Sequence, residues 1–170
     1  AHELPKTTRT AQGSLIHNVL SMSQDEKVQA IIDTRDYETE KFLLIMTEKG
    51  TIKKSAFKDF DSNYKSLQAI KLKDDDKVVS VKTTSGTEDV ILVSRKGQAI
   101  RFDENNLKPQ GRTAMGVRGI KLREGDKVVG AATSRDETLL FITAKGYGKR
   151  TNLDEFRKAG RGGMGVKALK

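Results

Sequence analysis

The stretch Phe42-Leu-Leu-Ile-Met-Thr-Glu-Lys-Gly50-Thr-Ile-Lys-Lys54 has two counterparts further along the chain. They are Val90-Ile-Leu-Val-Ser-Arg-Lys-Gly97-Gln-Ala-Ile-Arg101 and Leu139-Leu-Phe-Ile-Thr-Ala-Lys-Gly146-Tyr-Gly-Lys-Arg150. Each holds a four-residue apolar run, too short for a helix and of the length of a strand buried on both faces. Each run then meets a Lys-Gly pair, where glycine can take a positive φ at no steric cost, as a tight hairpin requires. The reading is strand, turn, strand, three times over.

Other landmarks keep the same beat. Lys27-Val28, Lys77-Val78 and Lys127-Val128 recur at intervals of 50 residues. Ile70-Lys-Leu72 recurs as Ile120-Lys-Leu122, with Ala168-Leu169 and, more loosely, Val19-Leu20 as echoes. Between Ile-Lys-Leu and Lys-Val-Val lie Asp74-Asp-Asp76 and Glu124-Gly-Asp126, read as a second hairpin turn. About four short strands per unit and almost no helical periodicity predict an all-β, propeller-like array of four-stranded blades. The units run roughly 14–60, 67–107 and 117–156, with linkers between them and a partial unit 157–170. At a period of roughly 49, 170 residues hold about 3.5 units, fewer than the four blades a closed propeller needs. The expectation is an incomplete array of about 3–4 blades, either part of a longer ring or an open crescent.

Composition narrows the function. The chain has no cysteine and two histidines, which removes disulfides, thiolate zinc and cysteine nucleophiles. No run approaches the roughly 20 apolar residues of a membrane span. The opening Ala1-His-Glu-Leu-Pro5 does not read as a signal peptide. The expected setting is the cytoplasm. The net charge of +9 is lopsided: residues 1–85 carry 14 basic and 13 acidic side chains, residues 86–170 carry 18 and 10. A localised excess of this kind suits a polyanion.

Basic residues also recur by position. Five residues after the apolar residue closing each unit stand Arg9, Lys65, Arg112 and Arg161. Small, glycine-rich segments follow three of them, Arg9 to Gly13, Arg112 to Gly116 and Arg161 to Gly165. Four residues after each hairpin glycine stand Lys54, Arg101 and Arg150, with Lys149 adding charge beside the last. Arginine and lysine reach phosphate oxygens, and small residues let main-chain N–H groups approach as well. One such point per blade would bend a duplex without reading its bases. The competing reading makes Arg-x-x-x-Gly an interblade linker, its glycine demanded by a turn.

No catalytic constellation emerges. Gly160-Arg-Gly-Gly-Met-Gly165-Val-Lys167 lacks the Gly-Lys-Ser/Thr junction of a phosphate-binding loop. Asp74-Asp-Asp76 reads as a solvated turn, and His2 and His17 have no partners at triad or ligand spacing. The chain is expected to be no enzyme by itself and to hold no metal or cofactor.

The run Leu107-Lys-Pro-Gln-Gly-Arg112-Thr-Ala-Met-Gly-Val-Arg118-Gly-Ile-Lys-Leu122 and the later Gly146-Tyr-Gly-Lys-Arg-Thr151 closely resemble the C-terminal domain of the DNA gyrase A subunit. His2-Glu-Leu-Pro5 with Arg9-Thr-Ala-Gln-Gly13 resembles a junction between its blades. The resemblance spans essentially the whole chain. It implies a β-pinwheel with strands exchanged between neighbouring blades and a basic outer rim that wraps double-stranded DNA. Carried over residue by residue, it implies phosphate contacts at Arg9, Lys65, Arg112, Arg118, Lys121, Lys149, Arg150 and Arg161, with Lys54 and Arg101 as secondary candidates. The family's hallmark Gln-x-Arg-Gly-Gly-x-Gly box is matched in part, by Arg161-Gly-Gly-Met-Gly165 with Ala159 in place of glutamine. The partners the resemblance further implies are the rest of the gyrase A subunit together with the gyrase B subunit. It also implies no membrane and a bacterial cytoplasmic location. ATP and Mg would serve the parent enzyme. The alternatives are the equivalent domain of topoisomerase IV, whose blade motifs are usually more eroded, and a protein-binding propeller, although no Trp-Asp or Gly-His signature appears.

Overall fold

In a computed structural model the described residues are 5–20, 22–23, 25–64, 66–73 and 75–169. The three apolar runs form the first strands of three antiparallel hairpins. They are β1 (Phe42–Thr47) with β2 (Thr51–Ala56), β4 (Asp89–Ser94) with β5 (Gln98–Asp103), and β8 (Thr138–Ile142) with β9 (Gly148–Asn152). Gly50, Gly97 and Gly146 turn them with φ of 84°, 78° and 83°, the left-handed region glycine enters freely. Short 3-10 turns follow each hairpin, at Phe57–Phe60, Glu104–Asn106 and Leu153–Glu155. No α-helix is present among the described residues, and none of their helices could cross a membrane.

Two of the hairpins acquire outer strands from further along the chain. β3 (Val78–Thr84) and β6 (Val117–Arg118) flank the first to give the order β3-β1-β2-β6. β7 (Val128–Thr133) and β10 (Val166–Lys167) flank the second as β10-β5-β4-β7. Each complete blade therefore draws on three stretches of sequence. β8 and β9 form a two-stranded sheet among the described residues.

The turns at Asp76 and Asp126 are present, but they join the Ile-Lys-Leu segments to β3 and β7 and are not hairpin turns, since those segments lie outside the strands. The irregularities are repeated as faithfully as the strands. A register shift falls between Met46 and Thr47 against β3, and at the equivalent Val93/Ser94 against β7.

Blades stack face to face. Leu44, Met46 and Ile52 of the first meet Val90, Leu92, Ile100 and Phe102 of the second, with Leu107, Ile120 and Val128 closing the layer. Ala99, Ala168 and Val93 then meet Phe141 of the third hairpin and Phe156, which follows its 3-10 turn. On the far side of the first blade, Leu43, Ile45 and Phe57 lie under Ile32, Tyr37 and Ile70. β3 packs on β7, so these strands lie side by side while β6 and β10 form the opposite edges of their sheets. The first two apolar runs are buried as expected. The third differs: Leu140 and Ile142 are 62% and 69% exposed because no further blade covers them among the described residues.

Candidate nucleic-acid interface

The outer edge is built by a loop that only glycine permits. Gly116 (φ 85°) and Gly165 (φ 73°) press the main chain onto β2 and β5, so that a Cβ would stand 2.7 Å from the Ile52 carbonyl oxygen and 2.2 Å from that of Ala99. The chain then wraps the hairpin tip. The N–H groups of Gly119 and Ile120 donate to the Gly50 carbonyl at 2.8 and 3.3 Å, and those of Ala168 and Leu169 to Gly97 at 2.8 and 3.4 Å. Ile120 and Ala168 sink between blades. Arg118, Lys121 and Lys167 remain exposed.

Neighbouring loops lock to one another. Gly162 N–H donates to the Gly119 carbonyl and Lys121 N–H to that of Gly163, both at 2.8 Å. The Arg161 guanidinium donates through Nη1 to the Arg118 carbonyl at 2.5 Å and through Nε to Asn106 at 3.3 Å. Arg112 Nη1 donates to the Asp59 carbonyl at 2.9 Å, one unit earlier. The recurrent arginine therefore anchors its loop to the 3-10 turn of the preceding unit. Both arginines stay half-exposed, and a guanidinium has five N–H donors, so donors remain for an anion.

Lys53 supports the first loop from inside. Fully buried, its Nζ donates to the carbonyls of Ala69 and Arg112 at 2.6 and 2.5 Å. Burial pushes its pKa below the ordinary lysine value, with Asp59 opposing the shift.

Arg112, Arg118, Lys121 and Arg161 thus lie together along one outer edge. Arg9, in an exposed turn near the chain start, and Lys149 and Arg150, exposed on β9, stand on other segments. Lys65 lies outside the described residues. Two expectations need correcting. The Lys54 ammonium is buried, 2.8 Å from the fully buried Glu104 carboxylate and 4.0 Å from the centre of the Phe42 ring. Arg101 donates to Asp89 at 2.8 Å and to the Leu153 carbonyl at 2.6 Å, with 12% of its side chain exposed. Both reach into the following unit's 3-10 turn, so carboxylates and carbonyls occupy the donors a phosphate would need.

Lys71 and Lys167 are candidates that the spacing argument passed over. Both are exposed, Lys71 matching Lys121 and Lys167 matching Arg118. The signal was available in Ile-Lys-Leu and in Gly-Val-Arg/Lys. The acidic turns meanwhile serve the backbone. Asp76 accepts the N–H groups of Lys49 and Lys77, and Asp126 accepts those of Lys96 and Lys127 as well as the Ser94 hydroxyl. Burial alone would raise Asp126, but these hydrogen bonds prevail and hold its carboxyl below the usual range.

Strand-sharing four-stranded blades with a basic outer edge define a β-pinwheel, a propeller-like array. The model of the DNA gyrase C-terminal domain, beta-propeller, matches residues 41–85, 88–135 and 137–170, and the chain belongs to that family. The DNA gyrase A subunit of Clostridium acetobutylicum is 43% identical over 120 residues, covering 70% of this chain and 14% of the relative. The chain thus spans about one seventh of that relative's length. Among solved structures, the C-terminal domain of DNA topoisomerase IV superposes with a TM-score of 0.88 at 36% identity, covering 98% of this chain and 53% of that one. A DNA gyrase A C-terminal domain superposes with a TM-score of 0.81 at 30% identity, covering 94% and 55%.

Proposed function

We propose that this chain binds and bends double-stranded DNA without reading its sequence, through the edge formed by Arg112, Arg118, Lys121, Arg161 and Lys167. The observation that carries the reading is the repetition of that edge. Two blades present the same glycine-bent loop, the same backbone-anchored arginine and the same exposed basic residue on the outermost strand. Cations repeated blade by blade along one edge suit a bent polyanion, and phosphate contacts of this kind carry no base information.

Family membership supports extending the proposal to the whole protein. It would be the A subunit of a bacterial cytoplasmic type II topoisomerase of the gyrase kind. This module would hold DNA, while strand cleavage and ATP and Mg chemistry reside in the rest of that subunit or in its B partner.

Two measurements test the proposal. Duplex affinity should fall steeply between about 50 and 200 mM salt, and alanine at Arg118, Lys121 or Lys167 should each reduce the log–log salt slope by about one. Binding that ignores salt overturns it. Circles nicked and religated with the chain bound should shift in linking number; an unchanged distribution would leave binding without wrapping.

A further inference from the structure

Resting on the DNA-binding reading above, we propose that the linker turns 111–116 and 160–165 add an uncharged contact between the phosphates. Met115 and Met164 pack on the deoxyribose edge of a strand, and Gly111 and Gly160 leave the clearance that lets it approach.

Two glycines have no reason within the fold to be glycine. Gly116 and Gly165 are fixed by positive φ and by their contacts with β2 and β5. Gly111 and Gly160, each one place before a recurrent arginine, have neither constraint. Their φ values lie outside the left-handed region, and a Cβ on either would meet no atom within 4 Å among the described residues. Both are exposed. A side chain at such a place would lower the entropy of the unfolded chain and stabilise the fold, so glycine here carries a cost. Close approach of a ligand to the main chain is the use that offsets it.

Two methionines stand on the same turns. Met115 and Met164 each lie three residues after the arginine and one before the left-handed glycine. They are 39% and 40% exposed, whereas Met46 is fully buried. The fold holds the residue before each one: Lys71 N–H donates to the Ala114 carbonyl at 3.1 Å, and Lys121 N–H to that of Gly163 at 2.8 Å. Cations bracket both, Arg112 and Arg118 around Met115, Arg161 and Lys167 around Met164. Glycine and methionine also meet in space. A groove of about 230 Å³ beside β5 is lined by Met164, Gly160, Gly163, Ala159 and Arg157, so thioether, methyl and bare main chain face it together with one guanidinium.

A nucleic-acid strand offers the complementary alternation, a charged phosphate and then an apolar sugar face. A thioether on a flexible stem adapts to such a surface without demanding a particular base. General turn chemistry does not account for the pair. At the earlier copy Thr8 precedes Arg9 and Gln12 precedes Gly13, so both features are missing together.

Duplex binding by the intact chain at fixed salt tests the contact. Met115→Gln and Met164→Gln, similar in volume but polar, should each weaken binding about fivefold, while leucine at either position should preserve it. Gly111→Val and Gly160→Val should weaken binding without lowering the melting temperature. None of these changes should alter the log–log salt slope, which Lys121→Ala reduces by about one. Brief peroxide treatment of the free chain should oxidise Met115 and Met164 but not Met46, and bound duplex should protect the two exposed thioethers. Wild-type affinity in the glutamine variants, equal losses with leucine and glutamine, valine variants that melt early, or methionines left unprotected in the complex each overturn the contact. Salt-dependent binding by the wild type alongside any of these results leaves the DNA-binding reading standing, whereas salt-indifferent binding by the wild type sinks both.

Discussion

The hairpin carrying Arg101 and the hairpin carrying Arg150 share an apolar run, a Lys-Gly turn and the same count from glycine to arginine. In the first, the arginine is bound to Asp89 and to the next unit's 3-10 turn, and Gly97 is wrapped by Leu169. In the second, the arginine is exposed and the glycine faces open space. The first blade repeats the wrapped pattern with Lys54 and Glu104. The same residue type at the same spacing is thus an interblade tie where a following unit packs, and a solvated cation where none does.

The contrast is sharpest at Glu104, which accepts Lys54, the Thr84 hydroxyl and Glu88 N–H. Glu104→Ala strands an ammonium in the core and should lower stability by about 3–5 kcal/mol in urea unfolding. A loss no greater than that of a surface change would break the interblade-tie reading. The glycines come next. Gly146→Ala should cost only the strain of a left-handed residue, about 1–2 kcal/mol. Gly97→Ala should cost measurably more, because its Cβ must also displace the Leu169 carbonyl. Equal midpoints for the two variants would erase the distinction between the hairpins.

Acid gives a smaller effect of defined sign. Asp126 has a folded pKa below its ordinary 3.8, so its contribution is full above that value and is lost as pH falls through the lowered one. Melting temperatures of the wild type and Asp126→Asn should therefore differ most above about pH 4 and converge as pH falls below it. The smallest change is at the exposed arginine, where Arg150→Ala should leave stability within about 0.5 kcal/mol.

The hairpins were legible because short apolar runs and Lys-Gly turns are local. Leu43 to Met46 and Gly50 announce a hairpin without help from the rest of the chain. The assembly of blades is not local. β6 joins β2 across more than 60 residues through two residue pairs, Thr51 with Arg118 and Ile52 with Val117, too few to leave a periodic signature. The site was legible only in part. Arg118 and Lys121 were reached only through the family resemblance, because neither falls at the recurrent spacings that picked out the other basic residues. The burial of Lys54 depends on Glu104, a partner 50 residues away that no spacing rule from Lys54 indicates. Lys53 was missed as a support because it reads as one more surface cation until Ala69 and Arg112 are folded over it.

Strand sharing also determines how the molecule would respond to being cut. A protease nick in the exposed stretch at Lys108–Pro109 would separate β1 through β5 from β6 through β10 in sequence but not in space. β6 would still be stitched to β2, β7 to β4 and β10 to β5. The two pieces should elute together under native conditions and part only in denaturant. The repeats are loops of one thread, each cast through the next, and breaking the thread once does not unravel the fabric.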